Sequence, residues 1–143
     1  MPMAHTPLLR ILLVEDNYLA QLAIQWLLET MHCHVTTAFT GEEALILFKQ
    51  HGFDLVFLDV GLPDCSGYEV SLAMRHWEKI QGLLIIPIIA LSTQVNREIK
   101  QRCLMSGMQA VVIKPLKKKI VRDMLTEFLQ GMTAVHREEW LDA

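Results

Sequence analysis

Cysteine is scarce in this sequence, and its spacing fits neither a disulfide framework nor a zinc site. The three cysteines, Cys33, Cys65 and Cys103, are odd in number, and no two of them form a CxxC pair. Small secreted folds are stabilised by paired cysteines, and a structural zinc site needs a full set of clustered ligands. We therefore expect three reduced thiols.

The sequence also lacks a membrane-spanning run, a signal peptide and an excess of basic residues. The apolar stretch at residues 82–91 is too short to span a bilayer and is interrupted by Pro87. The first ten residues lack the basic-then-apolar order of a signal peptide. The net charge of −3 gives no general attraction to nucleic acid. These absences predict a cytoplasmic protein with no membrane segment in this chain and no direct nucleic-acid binding.

The composition that is present suits one folded domain. Of the 143 residues, 52% are hydrophobic and 20% are charged, which argues against disorder. Five short apolar segments predict strands, at residues 11–15, 34–38, 55–59, 87–91 and 110–114. Four of them lack polar alternation, as strands covered on both faces do. The second is more polar, so we expect it at a sheet edge.

A segment with helical character follows each predicted strand. Apolar residues from Ala20 to Met31 recur at helical spacing, and capping boxes at Thr40 and Ser66 announce two further helices. A fourth helix is expected at residues 97–105 and a fifth at about 117–129. This order predicts an α/β fold, a doubly wound five-stranded parallel sheet with helices on both faces. The domain is expected to span residues 9–130, with tails at 1–8 and 131–143.

Residues with reactive side chains follow four of the predicted strands, at the edge where such sheets place their functional crevice. They are Glu15 and Asp16 at the end of the first strand, Asp59 at the end of the third, Ser92 after the fourth and Lys114 at the end of the fifth. Three neighbouring carboxylates repel one another unless a cation lies among them, and hard oxygen ligands suit Mg²⁺. Mg²⁺ and an ammonium group attract a phosphoryl group, and a carboxylate can attack phosphorus. The set therefore predicts phosphoryl transfer to Asp59, with Ser92 donating a hydrogen bond to a phosphoryl oxygen.

Each of these residues has a simpler explanation when it is considered alone. An acidic residue such as Asp16 is favoured at a helix start, and Asp59 could form the turn before Gly61. Ser92 could be a helix cap, and Lys114 could be solvated. Their joint occurrence after four strands is improbable by chance, so we favour the functional interpretation.

The sequence resembles the receiver domain of two-component response regulators over residues 9–129. The resemblance is carried by VEDN (14–17), LDVGLPDCSG (58–67), ALS (90–92) and KP (114–115). It implies the flavodoxin-like strand order 2-1-3-4-5. It also implies that Asp59 accepts a phosphoryl group from the phosphohistidine of a histidine kinase or a histidine phosphotransfer protein. Such a domain either acts alone through protein contacts or is part of a longer chain, of which a hybrid sensor histidine kinase is one example.

The resemblance also implies a set of magnesium ligands. Asp16 and Asp59 would ligate Mg²⁺ directly, Glu15 would do so through water, and Gly61 would contribute its backbone carbonyl. The domain would catalyse only its own phosphorylation and dephosphorylation, and we therefore expect a signalling domain rather than an enzyme acting on other substrates.

The switching mechanism is implied by the same resemblance. Lys114 would pair with the phosphoryl group, Ser92 would move towards it, and the Lys114–Pro115 bond is often cis in this family. Phosphorylation places a group of about −1.5 to −2 charge at one edge. The response would reach a downstream protein through the surface of the fourth helix, fifth strand and fifth helix.

Two positions depart from the family pattern. Val111, three residues before Lys114, lies where the family usually has Tyr or Phe, an aromatic that swings inward as the hydroxyl residue moves. Coupling to the outer surface is therefore expected to be weaker or differently built. Gly61 has no side chain to position or obstruct an attacking water, which leaves the phosphoryl lifetime open.

Three other functions fit part of the pattern. A magnesium-dependent phosphohydrolase of the haloacid-dehalogenase type also uses a strand-end aspartate, but it needs a second aspartate where this chain has Gly61. A flavin binder needs a Ser/Thr/Gly-rich phosphate loop after the first strand, where Glu15-Asp16-Asn17 would repel phosphate in the absence of a metal. An unphosphorylated receiver-like interaction module remains an alternative because of Val111. The lysines at 117–119 are either a solvated run or a surface for an anionic partner.

Overall fold

The fold is a five-stranded sheet with helices on both faces, seen in a computed structural model that describes residues 8–128. The strands are β1 (Leu9–Val14), β2 (Cys33–Ala38), β3 (Leu55–Asp59), β4 (Ile88–Ser92) and β5 (Ala110–Ile113). The helices are α1 (Tyr18–Glu29), α2 (Gly41–Gln50), α3 (Gly67–Gln81), α4 (Arg97–Met105) and α5 (Lys118–Phe128). The predicted tails, apart from Leu8, and the predicted end of the last helix at Leu129 lie outside the described residues.

All strand pairs in the sheet are parallel, in the order β2-β1-β3-β4-β5. The predicted fold class and strand order are therefore confirmed, and the polar strand β2 lies at the edge as expected. The central strands β3 and β4 are buried along their whole length. This burial explains their lack of polar alternation, because both of their faces are covered.

Alternate residues of β1 divide the core into two layers. Ile11 and Leu13 point into a cluster with residues of α1 and α5, whereas Leu12 and Val14 pack with residues of α2, α3 and α4. This alternation follows from the period of two along a strand. The helix ends use local caps, among which the Ser66 side chain accepts a hydrogen bond from the Glu69 backbone at the start of α3.

The expectations about membrane-spanning segments and about the cysteines can be compared with residues 8–128. No helix within residues 8–128 is long and apolar enough to cross a bilayer. The three cysteines are free thiols, with Cys33 and Cys103 buried and Cys65 half-buried.

Candidate functional site

Three carboxylates meet at the carboxyl edge of the sheet, where the sequence places them. Glu15 follows β1, Asp16 lies in the turn to α1, and Asp59 is the last residue of β3. One oxygen of each carboxylate lies within 4.8 Å of the others. Glu15 and Asp59 are 0% and 4% exposed, whereas Asp16 is exposed. The adjacency of β1 and β3 therefore produces a half-buried acidic cluster.

The end of β5 brings an ammonium group to this cluster. Lys114 Nζ donates to Glu15 Oε1 at 3.0 Å and to Asp59 Oδ2 at 2.9 Å. Burial raises the pKa of Glu15, and hydrogen bonds from the Asn17 backbone and from Lys114 offset this only in part. Burial alone would lower the pKa of Lys114, but its bonds to Asp59 and Glu15 outweigh burial, so that the pKa is raised. Lys114 therefore stays charged and neutralises part of the cluster.

The turn that carries Glu15 and Asp16 leads directly into α1. Asn17 is the N-cap of this helix, and its side-chain oxygen accepts from the Ala20 backbone N–H at 2.9 Å. The Asn17 backbone N–H in turn donates to Glu15 Oε2 at 3.0 Å. The start of the helix thus fixes the second oxygen of the Glu15 carboxylate.

A buried amide side chain also holds this turn. Gln21 is 3% exposed, and its Nε2 donates to the backbone carbonyls of Glu15 and Ala38, both at 3.1 Å. Gln21 is not among the site residues predicted from the sequence. The signal that could have found it is its position, because Gln21 shares a helix face with the apolar residues Ile24 and Leu28, both of which are buried.

The second oxygen of Asp59 is held by the loop that follows β3. The Gly61 backbone N–H donates to Asp59 Oδ1 at 2.8 Å, in the local pattern that favours aspartate in turns. Each Asp59 oxygen therefore has a donor, Gly61 for Oδ1 and Lys114 for Oδ2. A side chain at position 61 would begin 3.7 Å from Asp59 Oδ1, and glycine leaves that space open.

The same loop is attached to the start of α2 by Asp64. Its two oxygens accept from the backbone N–H groups of Gly41 and Glu42, each at 2.9 Å. These hydrogen bonds, first from Gly41 and then from Glu42, lower the pKa of Asp64. Asp64 is not among the site residues predicted from the sequence, because nothing in the local sequence shows that this loop reaches a helix more than 20 residues away.

Gly67 brings the first residue of α3 against the strand that carries Asp59. An added Cβ would lie 2.3 Å from the Asp59 carbonyl oxygen and 2.7 Å from Val60 Cα. The Gly67 N–H donates to the Val60 carbonyl at 3.0 Å. Only glycine permits this close approach of two backbone segments.

Ser92 lies at the same edge but makes its own local contacts. Its hydroxyl donates to the Gln94 carbonyl at 2.6 Å, and its backbone carbonyl accepts from the Lys114 N–H at 2.8 Å. Within residues 8–128, no hydrogen bond joins the Ser92 side chain to the acidic cluster. Ser92 therefore has to release Gln94 before its proton can be donated elsewhere.

The two remaining predicted residues lie on β5 and just after it. Val111 is half-buried and pairs with Ala90 of β4. Val111 also lines a cavity of about 310 Å³ beside α4, together with Lys100 and Met108. The Lys114–Pro115 peptide bond is cis, in agreement with the family resemblance.

The donor set of the acidic cluster fits magnesium. Octahedral coordination at about 2.1 Å places ligand atoms roughly 3 to 4 Å apart, so oxygens within 4.8 Å of one another need only a small contraction. All three side chains offer hard oxygen atoms, and the exposed Asp16 leaves one side open to the waters that magnesium keeps. The cluster can therefore hold a divalent cation beside the Asp59 carboxylate.

Comparison with known sequences gives a specific match. The family model for the response regulator receiver domain matches residues 11–126. The chain is 36% identical over 122 residues to the aerobic respiration control sensor protein ArcB of Escherichia coli, which covers 85% of this chain. It spans between 7 and 15% of the length of the curated relatives it first matches.

Two solved structures show the same architecture. One is the co-crystal structure of the Saccharomyces cerevisiae histidine phosphotransfer protein Ypd1 with the receiver domain of Ssk1. It has a TM-score of 0.82 and 28% identity, and it covers 90% of this chain and 94% of that chain. The other is the receiver domain of the sensor histidine kinase PA1611 from Pseudomonas aeruginosa, with a magnesium ion coordinated in its active-site cleft. Its TM-score is 0.78 at 28% identity, covering 87% of this chain and all of that chain.

Proposed function

The chain belongs to the response regulator receiver domain family, the phosphoacceptor domains of two-component signalling, and we propose that Asp59 is its phosphoacceptor. The observation that carries this proposal is the environment of the Asp59 carboxylate. It is buried beside Glu15, lies within 4.8 Å of an Asp16 oxygen and is paired with Lys114 at 2.9 Å. Among the described residues, this is the group of three acids that could hold a metal ion.

The chemistry proposed for Asp59 is an in-line displacement at phosphorus. One carboxylate oxygen forms a bond to phosphorus while the bond from phosphorus to the imidazole nitrogen breaks, and the imidazole keeps the electron pair. Gly61 and Lys114 hold the two carboxylate oxygens from separate sides, which orients the nucleophile before the donor arrives.

Mg²⁺ would be held directly by Asp16, Asp59 and the Gly61 backbone carbonyl, and through a water molecule by Glu15. A magnesium ion bound there would supply positive charge to the phosphoryl oxygens. Lys114 would add a second cation on the side of β5. The PA1611 receiver, which resembles this chain in fold, has magnesium in its active-site cleft.

The proposed phosphoryl donor is the phosphohistidine of a histidine kinase or a histidine phosphotransfer protein. The yeast neighbour is seen bound to a histidine phosphotransfer protein. The sensor kinases matched by sequence are several times longer than this chain. A hybrid sensor kinase would therefore be the natural setting for a receiver domain spanning residues 9–130, with phosphorylation taking place in the cytoplasm.

The response to phosphorylation would begin at Ser92 and Lys114. The Ser92 hydroxyl would leave the Gln94 carbonyl to donate to a phosphoryl oxygen, moving the loop between β4 and α4. Val111 has no ring to swing inward, so the surface of α4, β5 and α5 would respond through this loop and through Lys114.

Mass spectrometry after incubation with acetyl phosphate and Mg²⁺ tests the proposal. Wild type is expected to gain one phosphoryl mass, and Asp59→Asn is expected to gain none. Asp54→Asn is the matched control, because Asp54 lies just before β3, at the end of the strand opposite to Asp59. Its carboxylate accepts a hydrogen bond from the Arg10 backbone N–H. Equal labelling of wild type and Asp59→Asn would remove Asp59 from this role. Absence of labelling in wild type would favour an unphosphorylated interaction module.

A further inference from the structure

Gln21 is a buried polar residue whose interactions converge on the turn between β1 and α1. Its side chain is 3% exposed, on the α1 face occupied by Ile24 and Leu28. Burying an amide without hydrogen bonds is unfavourable, and an apolar residue would fill this position without that penalty. The two hydrogen bonds that Nε2 donates, to the backbone carbonyls of Glu15 and Ala38, therefore explain why a polar residue occupies this buried position.

These two bonds join the ends of β1 and β2 beside the acidic cluster. The Ala38 carbonyl also accepts from the Glu15 backbone N–H at 3.1 Å, so that it belongs to the last link between these strands. The Glu15 carbonyl lies one residue beyond β1, in the peptide group that leads to Asp16. Gln21 fixes the orientation of this peptide group, because a peptide unit is planar and one held atom restricts the rest.

Asp16 depends on this restraint more than its neighbours do. The Glu15 carboxylate is held by Lys114 and by the Asn17 backbone, and Asp59 is held by Lys114 and by the Gly61 backbone. In the part of the chain that the structure describes, no hydrogen bond or ion pair holds the exposed Asp16 carboxylate. The position of Asp16 is therefore set by its backbone, which Gln21 orients.

We propose that Gln21 is a positioning residue of the magnesium site, holding the Glu15–Asp16 peptide so that the Asp16 carboxylate meets Asp59. This inference rests on the proposed function, since it assumes that magnesium binds at Glu15, Asp16 and Asp59. Gln21 itself does not touch the metal. It acts through the backbone, as residues behind metal ligands commonly do.

Isothermal titration of Mg²⁺ into the unphosphorylated protein tests this role without any phosphoryl transfer. Gln21→Met keeps an unbranched side chain of similar length but removes both donated bonds. The matched control is Ser71→Ala, because Ser71 is fully buried and donates one bond to a backbone carbonyl, that of Ser106, at 2.7 Å. Loss of a partner behind a metal ligand typically weakens affinity about 10- to 100-fold. We expect at least a tenfold rise in the magnesium Kd for Gln21→Met and less than a twofold change for Ser71→Ala.

The outcomes separate this inference from the proposed function. A wild type that binds no Mg²⁺ would overturn the metal site itself. A wild type that binds Mg²⁺, with a Gln21→Met variant that binds it as tightly as Ser71→Ala, would overturn the role of Gln21 alone. Circular dichroism establishes that each variant is folded before titration.

A measurement on the wild type covers the case in which Gln21→Met does not fold. The side-chain amide signals of Gln21 are followed by NMR during a magnesium titration. The positioning role requires them to shift with the same Kd as the calorimetric binding, because the held peptide adjusts when Asp16 is ligated. Signals that stay fixed through saturation would contradict the role.

Discussion

Replacing Gly67 by alanine displaces the Asp59 backbone without altering any of the side chains that form the acidic cluster. The new Cβ would lie 2.3 Å from the Asp59 carbonyl oxygen, where real Cβ atoms stay at 3.0 Å or more, so the two segments must separate by about 0.7 Å. Both contacting groups are backbone, in the last residue of β3 and in the residue after it. No side-chain rotation can relieve the overlap.

The magnitude follows from two opposing effects. In the middle of a helix alanine is favoured over glycine by roughly 0.5–1 kcal/mol, and position 67, the first residue of α3, would gain at most this amount without the overlap. Overpacking against rigid surroundings costs about 1–3 kcal/mol. We therefore expect Gly67→Ala to lower the free energy of unfolding by about 1–2 kcal/mol. A displacement approaching 1 Å at the nucleophile can reduce a rate about 100-fold, and we expect a reduction of roughly 10- to 100-fold in phosphorylation by acetyl phosphate.

Two measurements check this expectation. Urea denaturation gives the change in stability, and mass spectrometry over time gives the phosphorylation rate of the folded protein at saturating Mg²⁺. Gly52→Ala is the control, because the nearest atom to its added Cβ is Arg10 Nη1, at 3.8 Å. If Gly67→Ala is as stable as wild type and is phosphorylated at the wild-type rate, the close approach does not position Asp59 and the reasoning fails.

Three further predictions concern the charge and the thiols of the domain. We expect Lys114→Met to abolish phosphorylation while retaining Mg²⁺ binding by titration, because the ammonium can be lost without loss of a metal ligand; loss of binding would contradict this. We expect the stability difference between wild type and Asp64→Ala, measured by urea denaturation across pH, to be constant at neutral pH. Because the pKa of Asp64 is lowered from its ordinary value of 3.8, its carboxylate contributes to the free energy of unfolding above pH 3.8, and this contribution is lost as the pH falls through the lower pKa of the folded state. A stability difference that persists in strong acid would contradict this linkage. In a thiol-labelling assay on folded protein near pH 8, half-buried Cys65 should react first and Cys33 slowest, since burial raises the pKa of Cys33 to about 12.

The strands could be predicted because their sequence pattern and their burial have the same cause. Residues 55–59 form β3 as predicted, since a continuous apolar run is suited to a strand covered on both faces. β1 ends at Val14 rather than Glu15, although the Glu15 N–H still bonds to Ala38 of the neighbouring strand. The end of a strand is therefore a gradual feature that an apolar pattern does not locate to one residue.

The acidic cluster could be predicted because parallel strands deliver their last residues to one edge. Its supporting contacts could not. Lys114 bonds Glu15 across 99 positions of the sequence, and the orientation of that pair depends on the order of the strands. Gln21 was missed because helical periodicity predicts an apolar residue on its face of α1. A polar residue in such a position indicates a hydrogen-bonding role only when the buried carbonyls opposite it are known.

Lys114, placed between Glu15 and Asp59, offsets one of the negative charges at this edge. Three ionised carboxylates and one ammonium leave two negative charges, which a single magnesium ion balances. Conversion of Asp59 to an aspartyl phosphate, as proposed, would replace one negative charge by about 1.5 to 2, and the edge would then carry an excess of negative charge. In the unmodified, metal-bound domain, the formal charges at this edge would cancel. In the modified domain, the excess negative charge would be offset when hydrogen-bond donors such as the Ser92 hydroxyl move towards the phosphoryl group. Loss of the phosphoryl group would remove it.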